Sequence, residues 1–184
     1  MCLICDGFTL EEVLERDAAT IAEGGFVVQM VQGSDGEVDA PGWAYTIGLL
    51  DSAGHPELVA AGADVKTSGR LLQALAGSVM DGERFEIGDT IRLGGDVARV
   101  GAVHNVQFRL DTFNMWHNLK SAGFLQAEEL DAVQIVMPHG WFCAEHGDRQ
   151  PLLSNAHARV DVASIPPNRA TRRARERSHR RNRS

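Results

Sequence analysis

The sequence contains no apolar run of the roughly 18 to 20 residues that is needed to span a bilayer. Its first residues also lack the basic region and the long apolar segment of a secretory signal. Only 3 of the 184 residues are cysteines, and this odd number argues against a disulfide framework and favours reduced thiols or metal ligands. These absences predict a cytoplasmic protein that does not enter a membrane.

Several signatures of well-known enzyme classes are missing as well. Gly94-Gly95 lacks both the strand-to-helix setting and the Lys-Ser/Thr ending of a phosphate-binding loop. The chain also has no Gly-x-Ser-x-Gly elbow and no internal repeat. Its hydrophobic content of 43% is enough to build one core, so we expect a single globular domain over residues 1–165.

Charge is divided unevenly along the chain. Residues 1–165 carry 24 acidic and 10 basic side chains, whereas residues 166–184 carry eight arginines and one glutamate. This terminal segment has no large apolar residue, so we expect a flexible basic tail. Its arginines are Arg169, Arg172, Arg173, Arg175, Arg177, Arg180, Arg181 and Arg183.

Two kinds of partner suit this tail. Arginine offers planar paired donors to phosphates, and counterion release favours non-specific contact with RNA or DNA. No aromatic residue is interleaved, so base stacking is not expected. The alternative is a tail that keeps the protein soluble or contacts an acidic surface, including that of its own domain.

The spacing of apolar residues predicts mixed α and β structure. Helices are predicted after Thr9, which forms a capping-box pattern with Glu12, after Asp64 or Thr67, and over residues 114–122. Strands are predicted over residues 25–32, 43–49, 57–62, 90–93, 97–103, 106–110 and 132–137. Short turns between most strands favour an α+β fold, with an antiparallel or barrel-like sheet covered by two or three helices.

Chemically useful side chains concentrate in residues 45–57. His55 and Glu57 lie two residues apart after a Gly-punctuated loop, so they can face one pocket and serve as general base and its orienting or protonating partner. The hydroxyls of Tyr45 and Thr46, together with His55, are candidate ligand-binding groups. The structural alternative is a turn in which the imidazole caps a backbone carbonyl and Tyr45 is an ordinary core aromatic.

The cysteines suggest a metal site. Cys2-x-x-Cys5 and Cys143-x-x-His146 are two half-sites with ligand spacing, which together would form a Cys3His zinc site. The alternatives are that the cysteines are small buried hydrophobic residues, that Cys2 is an N-terminal nucleophile, or that Cys2 and Cys5 form a redox pair.

Several separated motifs together resemble one bacterial family, domain of unknown function 4262. They are MCLICDG at residues 1–7, AYTIGL at 44–49, GHPEL at 54–58, VQIV at 133–136 and QPLL at 150–153. The resemblance covers about residues 1–155 and implies no activity, since the family is named for having none assigned. Members usually carry a Trp-Pro-Trp-like segment where this chain has WFCAEHG at 141–147, so Cys143, His146 and the basic tail are expected to be particular to this protein or a subgroup.

Three function classes follow from these patterns. The preferred one is a binding module that recognises a ligand or partner at residues 45–57, while the tail contacts nucleic acid. The second is a small hydrolase-like enzyme that uses His55 and Glu57. The third is a flavin- or nucleotide-binding split barrel, suggested only by a likeness of strand and loop pattern.

Overall fold

A computed structural model describes residues 7–32, 42–61, 64–103, 108 and 111–137. Several predictions fall outside these described residues: the zinc site, the arginine tail, the domain boundary at residue 165 and most of the strand over 106–110. The predicted zinc ligands are Cys2, Cys5, Cys143 and His146.

The described residues form four α-helices and six strands. The helices are α1 (Leu10–Gly24), α2 (Leu49–Ala53), α3 (Val65–Met80) and α4 (Asn114–Ser121), and a short 3-10 helix at Asp111–Phe113 precedes α4. The strands are β1 (Val27–Val31), β2 (Trp43–Ile47), β3 (Glu57–Ala61), β4 (Thr90–Leu93), β5 (Asp96–Ala102) and β6 (Ala132–Val136).

Local capping sets the ends of the two long helices. The Glu12 backbone N–H donates to Thr9 Oγ1 at 3.2 Å, and the Thr9 backbone N–H donates to Glu12 Oε2 at 2.7 Å, which confirms the predicted capping box of α1. Gly25 ends α1 in the left-handed conformation, at φ +82°. Asp64 begins α3 by accepting hydrogen bonds from the backbone N–H groups of Lys66 and Thr67, at 3.0 and 3.1 Å.

The strands form one sheet in the order β1-β2-β3-β6-β5-β4. All neighbouring strands are antiparallel except β3 and β6, which run parallel with Leu58 opposite Val133. The predicted α+β class is therefore confirmed. The described sheet is open, with β1 and β4 at its two edges, so the barrel-like form is not what these strands adopt.

One predicted boundary is corrected by the structure. The strand expected over residues 43–49 ends at Ile47, because Gly48 adopts a left-handed backbone and α2 begins at Leu49. The loop predicted after this strand therefore contains a short helix.

Both faces of the sheet are covered by helices. One face packs against α3, in a cluster that includes Ala44, Leu58, Ala60, Leu72, Ala76, Val79 and Ile135. The other face packs against α1 and α4, in a cluster that includes Leu14, Tyr45, Ile47, Val59, Trp116 and Leu119. Because β3 is covered on both sides, all five of its residues are buried and its sequence is nearly continuously apolar. These two helical layers hold in place β2 and β3, the strands at the two ends of the 45–57 segment.

Candidate functional site

The 45–57 segment turns sharply at Gly48. This glycine has φ +113°, and a Cβ atom there would lie 2.6 Å from the carbonyl oxygen of Gly25. Both facts exclude any other residue without local rearrangement. The turn aims the first backbone N–H groups of α2 back toward the start of β3.

The Glu57 carboxylate occupies the space that these N–H groups face. Its Oε1 accepts hydrogen bonds from the backbone N–H groups of Gly48 at 2.8 Å and Leu50 at 3.3 Å, and its Oε2 accepts one from Leu49 at 3.3 Å. The first N–H groups of a helix have no partner within the helix, and an anion near them is favourable. Glu57 therefore closes the N-terminus of α2 from a neighbouring strand.

Thr46 completes this arrangement. Its hydroxyl donates to Glu57 Oε2 at 2.7 Å and accepts a hydrogen bond from the Leu58 backbone N–H at 2.8 Å. Thr46 and Glu57 are both fully buried. Burial raises the pKa of the Glu57 carboxyl from 4.5 to about 7, against the opposing effect of the four hydrogen bonds that it accepts.

His55 is held on both ring nitrogens. The Phe85 backbone N–H donates to Nε2 at 3.0 Å, and Nδ1 lies 2.6 Å from the carbonyl oxygen of Pro56. Since an N–H group can only donate, Nε2 is the acceptor and Nδ1 carries the proton. The imidazole is only 1% exposed and meets the Phe85 ring edge to face, and burial lowers its pKa.

Tyr45 lies on the α4 side of the sheet. Its hydroxyl accepts a hydrogen bond from the Met115 backbone N–H at 3.1 Å, and its ring packs edge to face against Phe113 at 5.1 Å. Burial raises the pKa of the phenol, so Tyr45 stays neutral. This side chain connects β2 to the start of α4.

The structure brings some of the predicted site residues together and separates others. Thr46 and Glu57 are in direct contact, whereas Tyr45 faces α4 and His55 reaches Phe85. Within the described part of the chain, no hydrogen bond joins His55 to Glu57. The proposed joint role of His55 and Glu57 in catalysis stays a prediction.

Three acidic or basic residues near this segment were not anticipated. Asp51 accepts hydrogen bonds from the backbone N–H groups of Gln126 at 2.7 Å and Ala127 at 2.6 Å, and Arg84 donates to the Ala53 carbonyl at 2.7 Å. Asp17 is buried on α1, and its pKa is raised by that burial. Asp17 follows Val13 by four residues on the buried side of α1, and this helical spacing is the sequence feature from which its burial could have been predicted.

Neither a metal cluster nor a membrane span is found in the described ranges. Among residues 7–32, 42–61, 64–103, 108 and 111–137, no group of three or more His, Cys, Asp or Glu side chains is arranged to hold a metal ion. No helix in those ranges is long and apolar enough to cross a bilayer.

The fold and the buried polar residues define an α+β domain in which a carboxylate from a strand caps the N-terminus of a short helix. The model of one family, "Domain of unknown function (DUF4262)", matches residues 20–142, and the chain belongs to this family. The match includes three of the motifs that suggested it, at residues 44–49, 54–58 and 133–136. Searches of curated proteins and of solved structures gave no significant match.

Proposed function

We propose that the protein is a binding module whose domain recognises a ligand or partner at the 45–57 segment, and whose arginine tail contacts RNA or DNA without sequence specificity. The observation that carries this proposal is the internal bonding of the segment. Thr46 bonds Glu57 within the segment, whereas Tyr45 and His55 accept backbone N–H groups from Met115 and Phe85. Buried side chains that are hydrogen-bonded in this way are suited to holding the exposed surface above them in one conformation.

The surface that they hold is the outer side of α2. Asp51, Ser52 and Gly54 are exposed there, while His55 and Glu57 lie beneath them. A rigid exposed turn can recognise a partner with little loss of conformational entropy on binding. In this proposal the four buried residues act as positioning residues, and the exposed ones make the contact.

Titration followed by NMR tests recognition by the domain. We would add ATP and, in a separate experiment, FMN to the ¹⁵N-labelled full chain and follow the amides of Ser52 and Gly54. Saturable shifts confined to α2 and its flanks would support a nucleotide-like ligand at this turn. Shifts centred elsewhere, or no shifts, would contradict recognition of these ligands at α2, and a bound yellow chromophore in the purified protein would favour the flavin-binding alternative.

The charge of the tail supports the nucleic-acid part of the proposal. Eight arginines stand against one glutamate in residues 166–184. We would compare the full chain with a full-length variant in which all eight arginines become glutamine, using single-stranded RNA at about 50 and about 200 mM salt. Each phosphate contact contributes about −0.7 to the slope of log K against log salt for single strands, so the variant should lose both affinity and slope.

A control variant separates charge from side-chain identity. Changing the same eight residues to lysine keeps the charge, so most of the affinity should remain. Equal binding by the wild type and the glutamine variant would refute the role assigned to the tail.

One observation favours the enzymatic alternative. Burial brings the pKa of Glu57 to about 7, which is the range in which a carboxyl can both release and accept a proton. A hydrolase of this kind would lose cleavage of p-nitrophenyl acetate in a His55→Gln variant that circular dichroism shows to be folded under the assay conditions. Equal cleavage by both proteins would exclude His55 as the base for that substrate.

A further inference from the structure

The two edges of the sheet differ in how they are protected. Among the described strands, β1 and β4 each pair on one side only. β4 has four residues and carries Arg92, and shortness and charge both discourage pairing with another chain. β1 has the sequence VVQMV, with five residues, no charge and no proline. The described β1 edge therefore lacks the charge that protects β4.

An apolar strip runs along the β1 edge. Phe26, Val28 and Met30 alternate along the chain and lie on the side of the sheet that packs against α3. The Met30 side chain rests on Gly69 of α3, where a Cβ atom would lie 2.6 Å from its sulfur, yet Met30 is still 51% exposed. Met80, at the end of α3, covers Gly25 and is 39% exposed.

We propose that β1 pairs antiparallel with β1 of a second copy of this chain, about a two-fold axis through Gln29. In this register Gln29 faces Gln29 of the second copy, Val28 faces Met30, and Val27 faces Val31. Every apolar residue of β1 thus faces another apolar residue, and the one polar residue faces its equivalent. The two six-stranded sheets would become one continuous sheet.

The same register explains the exposed methionine. A two-fold axis perpendicular to the sheet keeps equivalent faces on the same side, so Val28 and Met30 of both copies meet in one apolar cluster beside both α3 helices. Cross-strand apolar pairs of this kind stabilise a sheet. No side chain of Val27–Val31 is charged, so this register places no like charges opposite each other within β1.

Light scattering on the full chain tests this dimer. Size-exclusion chromatography coupled to multi-angle scattering, at about 100 μM protein, should give about 40 kDa, twice the 20.0 kDa of one chain. Gln29→Lys places two ammonium groups opposite each other, and Met30→Lys puts a charge into the apolar cluster. Both variants should run at about 20 kDa.

A matched control guards against general effects of an added lysine. Ile87→Lys changes a hydrophobic residue that is 64% exposed, outside β1, and this variant should remain dimeric. Circular dichroism and urea unfolding verify that each variant is folded, and the Met30→Lys result stands even if Gln29→Lys fails to fold.

Hydrogen exchange shows whether the β1 edge is covered. The outward-facing β1 amides should exchange slowly in the concentrated wild type and fast in Met30→Lys. A wild type of about 20 kDa at every concentration, or variants that stay at about 40 kDa, would overturn the proposal. A monomer with slowly exchanging β1 amides would overturn it too, because another segment or partner would then occupy the edge.

Discussion

Thr46 Oγ1 lies 2.7 Å from Glu57 Oε2, and Thr46 Oγ1 also accepts a hydrogen bond from the Leu58 backbone N–H at 2.8 Å. One hydroxyl thus joins the end of β2, the start of β3 and the carboxylate that closes α2. Because all of these groups are buried, water could not replace a partner that was removed, and the remaining group would have an unsatisfied hydrogen bond.

The Thr46 hydroxyl should therefore matter more than its size suggests. Thr46→Val keeps the shape but leaves the Leu58 N–H without an acceptor and Glu57 without one donor, and we expect a loss of about 1–3 kcal/mol in the free energy of unfolding. Thr46→Ser keeps the hydroxyl and should cost less than about 1 kcal/mol. Urea unfolding measures both, and equal losses would show that the hydroxyl bonds contribute little.

Glu57 should make stability depend on pH. Burial raises its pKa from 4.5 to about 7, so the folded protein holds this proton more tightly than the unfolded chain. Unfolding free energy should then fall as pH rises from about 4.5 to about 7, by at most about 3 kcal/mol from this residue. Below about pH 4.5 both states are protonated, and the contribution becomes constant.

A variant isolates this effect from that of His55. Burial lowers the pKa of His55, so its own contribution acts in the opposite direction, with stability increasing as pH rises toward 6.5. The measured quantity is the difference in unfolding free energy between the wild type and Glu57→Gln at pH 5, 6, 7 and 8. A difference that does not change across this range would contradict the shifted pKa.

His55 should contribute to stability whether or not it has a chemical role. His55→Ala removes the acceptor of the Phe85 N–H and the ring that packs on Phe85, and we expect a loss of about 2–4 kcal/mol. His117→Ala is the matched control, since His117 is only partly buried and should cost less than about 1 kcal/mol. If His55→Ala unfolds at the same urea concentration as the wild type, the two ring hydrogen bonds are not structural.

Gly48 should tolerate no side chain. Gly48→Ala requires φ +113° and a contact of 2.6 Å with the Gly25 carbonyl, and we expect a loss of about 2 kcal/mol or more. Gly94→Ala is the comparison, since Gly94 also has a positive φ, of +65°, but open space around the added Cβ. Its loss should be about 1 kcal/mol. Thermal unfolding should rank the two variants in this order.

Zinc is predicted from spacing alone, at residues outside the described ranges. Elemental analysis of the full chain should give about one zinc per molecule if Cys2, Cys5, Cys143 and His146 form the site. Cys143→Ser should lose the metal and some stability, because binding at a structural zinc site is coupled to folding. A wild type without zinc after purification in metal-supplemented buffer would rule out this site.

Local signals in the sequence predict the starts of the two long helices. Thr9 and Glu12 specify the start of α1 within four residues, and of the two starts predicted for α3, Asp64 or Thr67, the structure has Asp64. The helix α2 escaped prediction because its five residues carry no periodicity and its N-terminus is capped by Glu57, which follows the helix in the chain. The short turns between predicted strands favoured antiparallel pairing, whereas β3 and β6 are parallel.

What the sequence determined by itself is the presence of α1, α3, α4 and the six strands, because capping and apolar spacing act over a few residues. Only the tertiary structure decided the partners of the buried polar groups. His55 meets Phe85 across 30 residues, and Tyr45 meets Met115 across 70. Such contacts depend on how the sheet orders its strands and where the helices cross it, and no local pattern encodes that choice.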